Sequence, residues 1–99
     1  MYAVIFRAEI KKLDQEYSDT AVKLRNLAIE KYGCMDFVAT TEGHQEIAIS
    51  YWETLEQISR WKRDERHIKA QQLGQSKWYK TYQVQIVEVL REYDHGIDG

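Results

Sequence analysis

Residues 47–82 read IAISYWETLEQISRWKRDERHIKAQQLGQSKWYKTY, and the fold turns on how this stretch divides. Its first residues alternate, Ile47, Ile49 and Tyr51 against Ala48, Ser50 and Trp52, as in a strand with no face polar enough for water. Thr54-x-x-Gln57 then forms a capping-box pattern. A helix therefore begins just after Glu53 and presents Leu55, Ile58 and Trp61 on adjoining turns. Asp64 offers a second N-cap, which predicts a short helix, a kink near Lys62 to Asp64, and a further helix through Leu73 that Gly74 ends. All three tryptophans fall inside this stretch, with His67 among them.

Working outward, Tyr2, Val4, Phe6, Ala8 and Ile10 alternate with Ala3, Ile5, Arg7 and Glu9, the period of a strand. Asp14 caps a helix in which Tyr17, Ala21, Leu24, Ala28 and Tyr32 recur at three and four residues, and Gly33 stops it. Cys34 to Thr40 and Glu46 to Trp52 read as an antiparallel pair joined by TEGHQ, where Gly43 permits a hairpin turn. Tyr82 to Tyr93 supplies the last strand. Its apolar phase changes between Ile86 and Val87, which predicts a bulge or unequal exposure of its two ends. The order β-α-β-β-α-β is the ferredoxin-like split pattern, an α+β fold with an antiparallel sheet and its helices on one face. The other face is then bare, and two such sheets packed together bury it, so a homodimer is expected with Ala48, Ser50, Gln85 or Val87 near the two-fold contact.

Composition narrows the function. A chain of 99 residues, 43% hydrophobic and 12% aromatic, is one folded domain, assigned to residues 1–93 with a flexible tail over 94–99. Net charge is -2, so no basic field attracts nucleic acid or an anionic membrane. No apolar run approaches the roughly 20 residues of a membrane span. Cys34 is the single cysteine and no leader precedes the first strand, which points to the cytoplasm. No phosphate-binding glycine loop, dinucleotide fingerprint or metal-ligand spacing occurs, so neither a bound cofactor nor a metal is expected.

The candidates for chemistry are therefore aromatic and polar side chains around an enclosed space between sheet and helices. Trp61, His67, Gln71, Trp78, Tyr79 and Tyr82 are chosen, with Phe37 and Tyr51 as walls on the sheet side. Trp61 reads equally as a core residue at helical spacing and as a pocket wall. His67, three residues after Asp64, reads as a surface or capping group or as a group facing the pocket. Trp78 and Tyr79 are adjacent and cannot share one side of a regular element, so one is expected to close the cavity and the other to pack at the dimer edge. The mixed charges of residues 62–66 read as a solvated bend.

Three groups of residues, SYWETLEQISRWK at 50–62, His67-x3-Gln71-x2-Gly74, and Trp78-Tyr79-x2-Tyr82 before an alternating strand, resemble the antibiotic biosynthesis monooxygenase family. The likeness runs over nearly the whole chain. It implies a dimeric α+β barrel in which the two sheets close on each other and exchange the ends of their last strands. It also implies an oxygenase that works without a cofactor, turning small phenols or enols into quinones with dioxygen. In that reading Trp61 lines the pocket with Gln57 one turn before it, and His67 is the base. Two other uses follow from the same likeness. One is a noncatalytic dimer that binds a small aromatic ligand. The other, a haem-degrading branch, carries a histidine on its second helix and an asparagine on its first strand, where this chain has Gln71 and Phe6 or Arg7.

Overall fold

The computed structural model describes residues 1–96. Four strands form one antiparallel sheet in the order β2-β3-β1-β4, with β1 at Tyr2–Ile10, β2 at Asp36–Glu42, β3 at Gln45–Trp52 and β4 at Tyr79–Glu88. Helix α1 spans Gln15–Lys31, α2 Leu55–Lys62 and α3 Glu65–Leu73, and a π-helical turn, Gly74–Trp78, joins α3 to β4. This is the expected ferredoxin-like α+β architecture. Of the tail expected over 94–99, the last three residues lie outside the described part.

The local signals act where they were read. Asp14 accepts from the Tyr17 N–H at 2.8 Å, so α1 starts with a satisfied donor and an anion at its positive end. Gly33, at φ 84°, turns the chain out of α1. Gly43, at φ 59°, makes the two-residue turn that Glu42 and Gln45 close. Thr54 and Gln57 form the reciprocal capping box, and Asp64 accepts from the Arg66 N–H at 2.9 Å to restart the helix as α3. Beneath them a core of Val4, Ala28, Cys34, Trp52, Ile58 and Trp61 joins β1, α1, β3 and α2. Among the described residues no helix is long and apolar enough to cross a membrane.

Three expectations are corrected and one is sharpened. The last strand starts at Tyr79 and stops at Glu88. Its length is set by its partner: Ile10 pairs Tyr79 and Tyr2 pairs Glu88, and after one more bond, Val89 N–H to the Met1 carbonyl at 2.9 Å, no strand remains to pair with. The irregularity in β4 sits near its start, where Glu9 pairs Thr81 and Ile10 pairs Tyr79, so Lys80 is the extra residue. Gly74 caps α3 after Leu73 as expected, but not by a left-handed turn. It keeps helical angles, φ −59° and ψ −46°, and its lack of a side chain serves packing instead, since a Cβ there would meet the Tyr79 ring at 3.0 Å. Finally, the charged stretch after Trp61 is not a freely solvated bend. The Tyr32 hydroxyl donates to Asp64 at 2.7 Å, and Arg66 and Tyr32 hold that carboxyl well below the usual carboxylate range.

Strand alternation then divides the sheet into two faces. Val4, Phe6, Phe37, Ala39, Ala48, Ser50, Tyr82 and Val84 look toward the helices. Ala48 and Ser50 are therefore not on the bare face, contrary to the expected two-fold contact. That face carries Ile5, Val38, Ile47, Ile49, Tyr51, Gln85 and Val87.

Candidate functional site

Between the sheet and the helices lies a cavity of about 190 Å³ with a mostly apolar wall. An apolar cavity of about 150 Å³ is enough for benzene, so this space suits a compound of one or two aromatic rings. Phe37, Trp61, His67, Gln71, Trp78, Tyr79 and Tyr82 all line it.

Trp61 comes from the last turn of α2. Its ring stands edge-on to Phe37 with centroids 6.2 Å apart, lies 5.2 Å from Trp52, and meets the His67 imidazole at 4.5 Å. The indole N–H donates to the Leu24 carbonyl of α1 at 3.3 Å. Trp61 is thus both core and wall, because one face packs on Trp52 while the rest borders the cavity. His67, in the first turn of α3, is largely buried against it. Its Nδ1 is buried with no hydrogen-bond partner. Burial, and then the Lys62 ammonium that also lines the cavity, lower its pKa to about 4. The imidazole is therefore neutral at neutral pH, and one of its nitrogens has nothing to bind.

At the other end the π turn and the Lys80 bulge set the ring directions. A regular strand would alternate Tyr79 away from Tyr82, but the extra residue puts both on the helix side. The wider turn before them leaves Trp78 facing inward as well, so the expected division between Trp78 at one surface and Tyr79 at another does not occur. Trp78, 2% exposed, donates its indole N–H to Asp14 at 3.1 Å. Phe6 packs on Tyr79 and Tyr82 at 5.4 and 5.7 Å, and the Tyr82 hydroxyl accepts from Gln75 at 2.9 Å and Gln71 at 3.3 Å.

Two chosen residues lie elsewhere. Gln57 accepts from the Glu53 and Thr54 N–H groups, both at 3.2 Å, and rests against Gly33, so the helix cap occupies it fully. Tyr51 points to the opposite face of the sheet, one residue out of phase with Ser50. Sequence reasoning missed Glu46, which lines the cavity at 6% exposure and accepts hydrogen bonds from the hydroxyls of Tyr17 and Tyr79. Burial, with Glu46 beside them, raises the pKa of both tyrosines, so both remain donors. The signal was present, since Glu46 is the one acid in the phase of Ala48, Ser50 and Trp52.

His67 makes stability depend on pH in a defined window. Its folded pKa, about 4, lies below the value of about 6.5 in an unfolded chain. The unfolded state therefore takes up the proton first, and stability is complete above about pH 6.5 and falls toward pH 4, by on the order of 3 kcal/mol. Asp14 and Asp64, with lowered pKa values, lose their contributions only below about pH 3.8. Urea unfolding between pH 7.5 and 4.5 is expected to show this loss in the native chain and little of it in His67→Phe. Equal slopes in the two would contradict the burial of a neutral imidazole.

Comparison with known proteins follows the same geometry. No family model matches the chain. The uncharacterized protein YqjZ of Bacillus subtilis (strain 168) is 32% identical over 92 residues, covering 92% of this chain and 81% of its own. A variant of SnoaB, a cofactor-independent oxygenase from Streptomyces nogalater, superposes with a TM-score of 0.79 at 9% identity, over 95% of this chain and 97% of its own. A candidate antibiotic biosynthesis monooxygenase from Nitrosomonas europaea does so at 0.74 with 15% identity, over 92% and 100%. The two superpositions speak for the fold, and the sequence relative extends the kinship along the chain. The chain therefore belongs to one sequence family with YqjZ, and its fold is that of the antibiotic biosynthesis monooxygenases.

Proposed function

We propose that the protein is a cofactor-independent monooxygenase that oxidises a small phenolic or quinol-type aromatic compound with dioxygen. The observation that carries this reading is a neutral His67, its buried Nδ1 unpartnered, in the lining of an apolar cavity of ring size. A phenol fills that cavity with its rings against Trp61 and Phe37 and its hydroxyl toward the His67 imidazole. SnoaB, described as a cofactor-independent oxygenase, supports the choice of chemistry.

The electrons come from the substrate. A resting phenol, with a pKa of about 10, does not give its proton to an imidazole of pKa about 4. Once an electron passes to dioxygen the phenol radical cation is strongly acidic, and even this weak base takes the proton as the electron leaves. Superoxide then joins the ring carbon para to the oxygen. Loss of water across the O–O bond, with the ring proton, leaves a quinone. One phenol and one dioxygen give one quinone and one water, so no outside reductant is needed. His67 holds and accepts the proton, Trp61 orients the ring, and the apolar wall with the bound ring limits water at the intermediate. The buried free Cys34 is compatible with the reducing cytoplasm.

Dioxygen uptake with one- and two-ring phenols tests this. Turnover is expected to hold level from neutral pH down to about 5 and to fall as His67 titrates near 4. His67→Phe should lower it by roughly 10² to 10⁴ with binding retained, whereas Trp61→Ala should weaken binding most. If phenols quench tryptophan fluorescence yet none consumes dioxygen above the uncatalysed rate, the protein is a binding module instead.

The assembly we propose is a homodimer closed through the bare sheet face, where Ile5, Ile47, Ile49 and Val38 form an apolar patch. Val38, 50% exposed in the single chain, probes it without disturbing the core. Sedimentation equilibrium should give twice 11.8 kDa for the native chain and 11.8 kDa for a folded Val38→Asp. A monomeric native chain would remove the barrel.

A further inference from the structure

The oxidation proposed above releases two protons, and only one of them has an acceptor so far. His67 takes the proton of the phenol oxygen, but the hydrogen on the ring carbon para to it must also leave before that carbon becomes a carbonyl. The cavity holds one further group able to take it. Among the described residues that line it, Lys62 presents an ammonium, and the Gln71 amide and the hydroxyls of Thr20, Ser50 and Tyr82 are not bases. Tyr17 and Tyr79 keep their protons, because burial and the neighbouring Glu46 raise their pKa values. Glu46 is the one carboxyl in the lining.

Glu46 is 6% exposed and, among the described residues, has no cation within salt-bridge distance. Its two oxygens accept instead from the hydroxyls of Tyr17 and Tyr79, the second at 3.3 Å, and both tyrosines line the cavity. The carboxyl is thus held at the cavity wall by neutral donors, a costly arrangement for a charged group. A glutamine, cheaper to bury, would serve the same two donors if the role were structural.

The fold sets this carboxyl and His67 apart by a distance that suits one ring. His67 and Gly74 lie seven residues apart on one helical run, about 10 Å at 1.5 Å per residue, and a Cβ on Gly74 would touch the ring of Tyr79, whose hydroxyl meets Glu46. A hydrogen bond of about 2.8 Å at the phenol oxygen, the roughly 4 Å from that oxygen to the para carbon, and a C–H···O contact of about 3.4 Å together cover about the same span.

We infer that Glu46 is the base that removes the para ring proton in the second half of the oxidation, with Tyr17 and Tyr79 as positioning residues that aim its carboxylate. This rests on the oxidation proposed above. Superoxide takes the proton that His67 holds and joins the para carbon, giving a neutral ring hydroperoxide that still carries the para hydrogen. Glu46 then accepts that hydrogen as a proton, its C–H electron pair becomes the π bond of the second carbonyl, and the O–O bond breaks. The departing hydroxide recovers the proton from Glu46 and leaves as water. Both residues return to their starting forms, and the sum remains one phenol and one dioxygen to one quinone and one water.

A single turnover of 1-naphthol, monitored at once by dioxygen uptake and by quinone absorbance, separates the two halves. In the native chain the two signals should rise together. In Glu46→Gln the quinone should form roughly 10²-fold more slowly than dioxygen is taken up, the lower end of what a lost general base costs, and deuterium at the para carbon should lengthen the lag. Should that variant fail to fold, Glu46→Asp keeps the charge but draws it back from the ring, and a shorter lag with the same isotope effect is expected. Quinone that keeps pace with uptake in the folded variant, or a lag that deuterium leaves unchanged, overturns the inference and leaves Glu46 as a structural tie between α1, β3 and β4. His67→Phe, by contrast, slows both signals together, because it acts before dioxygen adds to the ring. A native chain that takes up no dioxygen removes the oxidation itself, and this role of Glu46 with it.

Discussion

Two tryptophans, Trp61 and Trp78, hold the space between sheet and helices open, and a third, Trp52, backs Trp61 from the core. Trp52 donates to the Ser50 hydroxyl at 2.8 Å, Trp61 to the Leu24 carbonyl at 3.3 Å and Trp78 to Asp14 at 3.1 Å. The first bond holds Trp52 to its own strand, and the other two fix the rings of α2 and of the π turn to the middle and the cap of α1. A tryptophan whose N–H is satisfied cannot swing inward without burying an unpaired donor, which costs about 1–3 kcal/mol. Trp61 and Trp78 therefore stand as walls, and the volume between them persists where smaller aliphatic residues would close it.

The junction from α3 to β4 supplies the rest of the wall. A helix ended sharply at Gly74 and a regular strand would show the cavity only one of the two aromatic residues 78 and 79. Here the backbone passes through a π turn and then a bulge at Lys80. The two irregularities together direct Trp78, Tyr79 and Tyr82 inward, and Gly74 leaves room for the Tyr79 ring. Irregular backbone of this kind is found where side chains must be re-aimed toward a site.

What could be read from the chain follows from how local each signal is. Asp14, Gly33, Gly43, the Thr54–Gln57 box and Asp64 act within a few residues, and the element order follows from them. The limits of β4 depend on the length of β1, a partner far away in sequence, and periodicity alone extended it five residues too far. Face assignment was lost in the same way: strands with apolar residues on both sides give no inside, so Tyr51 was drawn into the site and Ala48 and Ser50 were put outside it. Gln57 had two possible duties, and the cap took it. Glu46 was overlooked because its value lies in Tyr17 and Tyr79, which only the folded chain brings to it.

The protein's chemistry depends on His67 being buried enough to stay neutral while its ring lines the cavity. Burial and the nearby Lys62 charge work in the same direction, and the Asp64 carboxylate opposes them weakly. The direct measurement is nitrogen NMR of the imidazole, titrated with acid in the free protein and then with 1-naphthol in the absence of dioxygen. A midpoint near 4, with the Nδ1 resonance moving on addition of the naphthol, is the predicted result. An ordinary midpoint of about 6.5, with neither nitrogen responding to ligand, would place the imidazole in solvent and contradict the account.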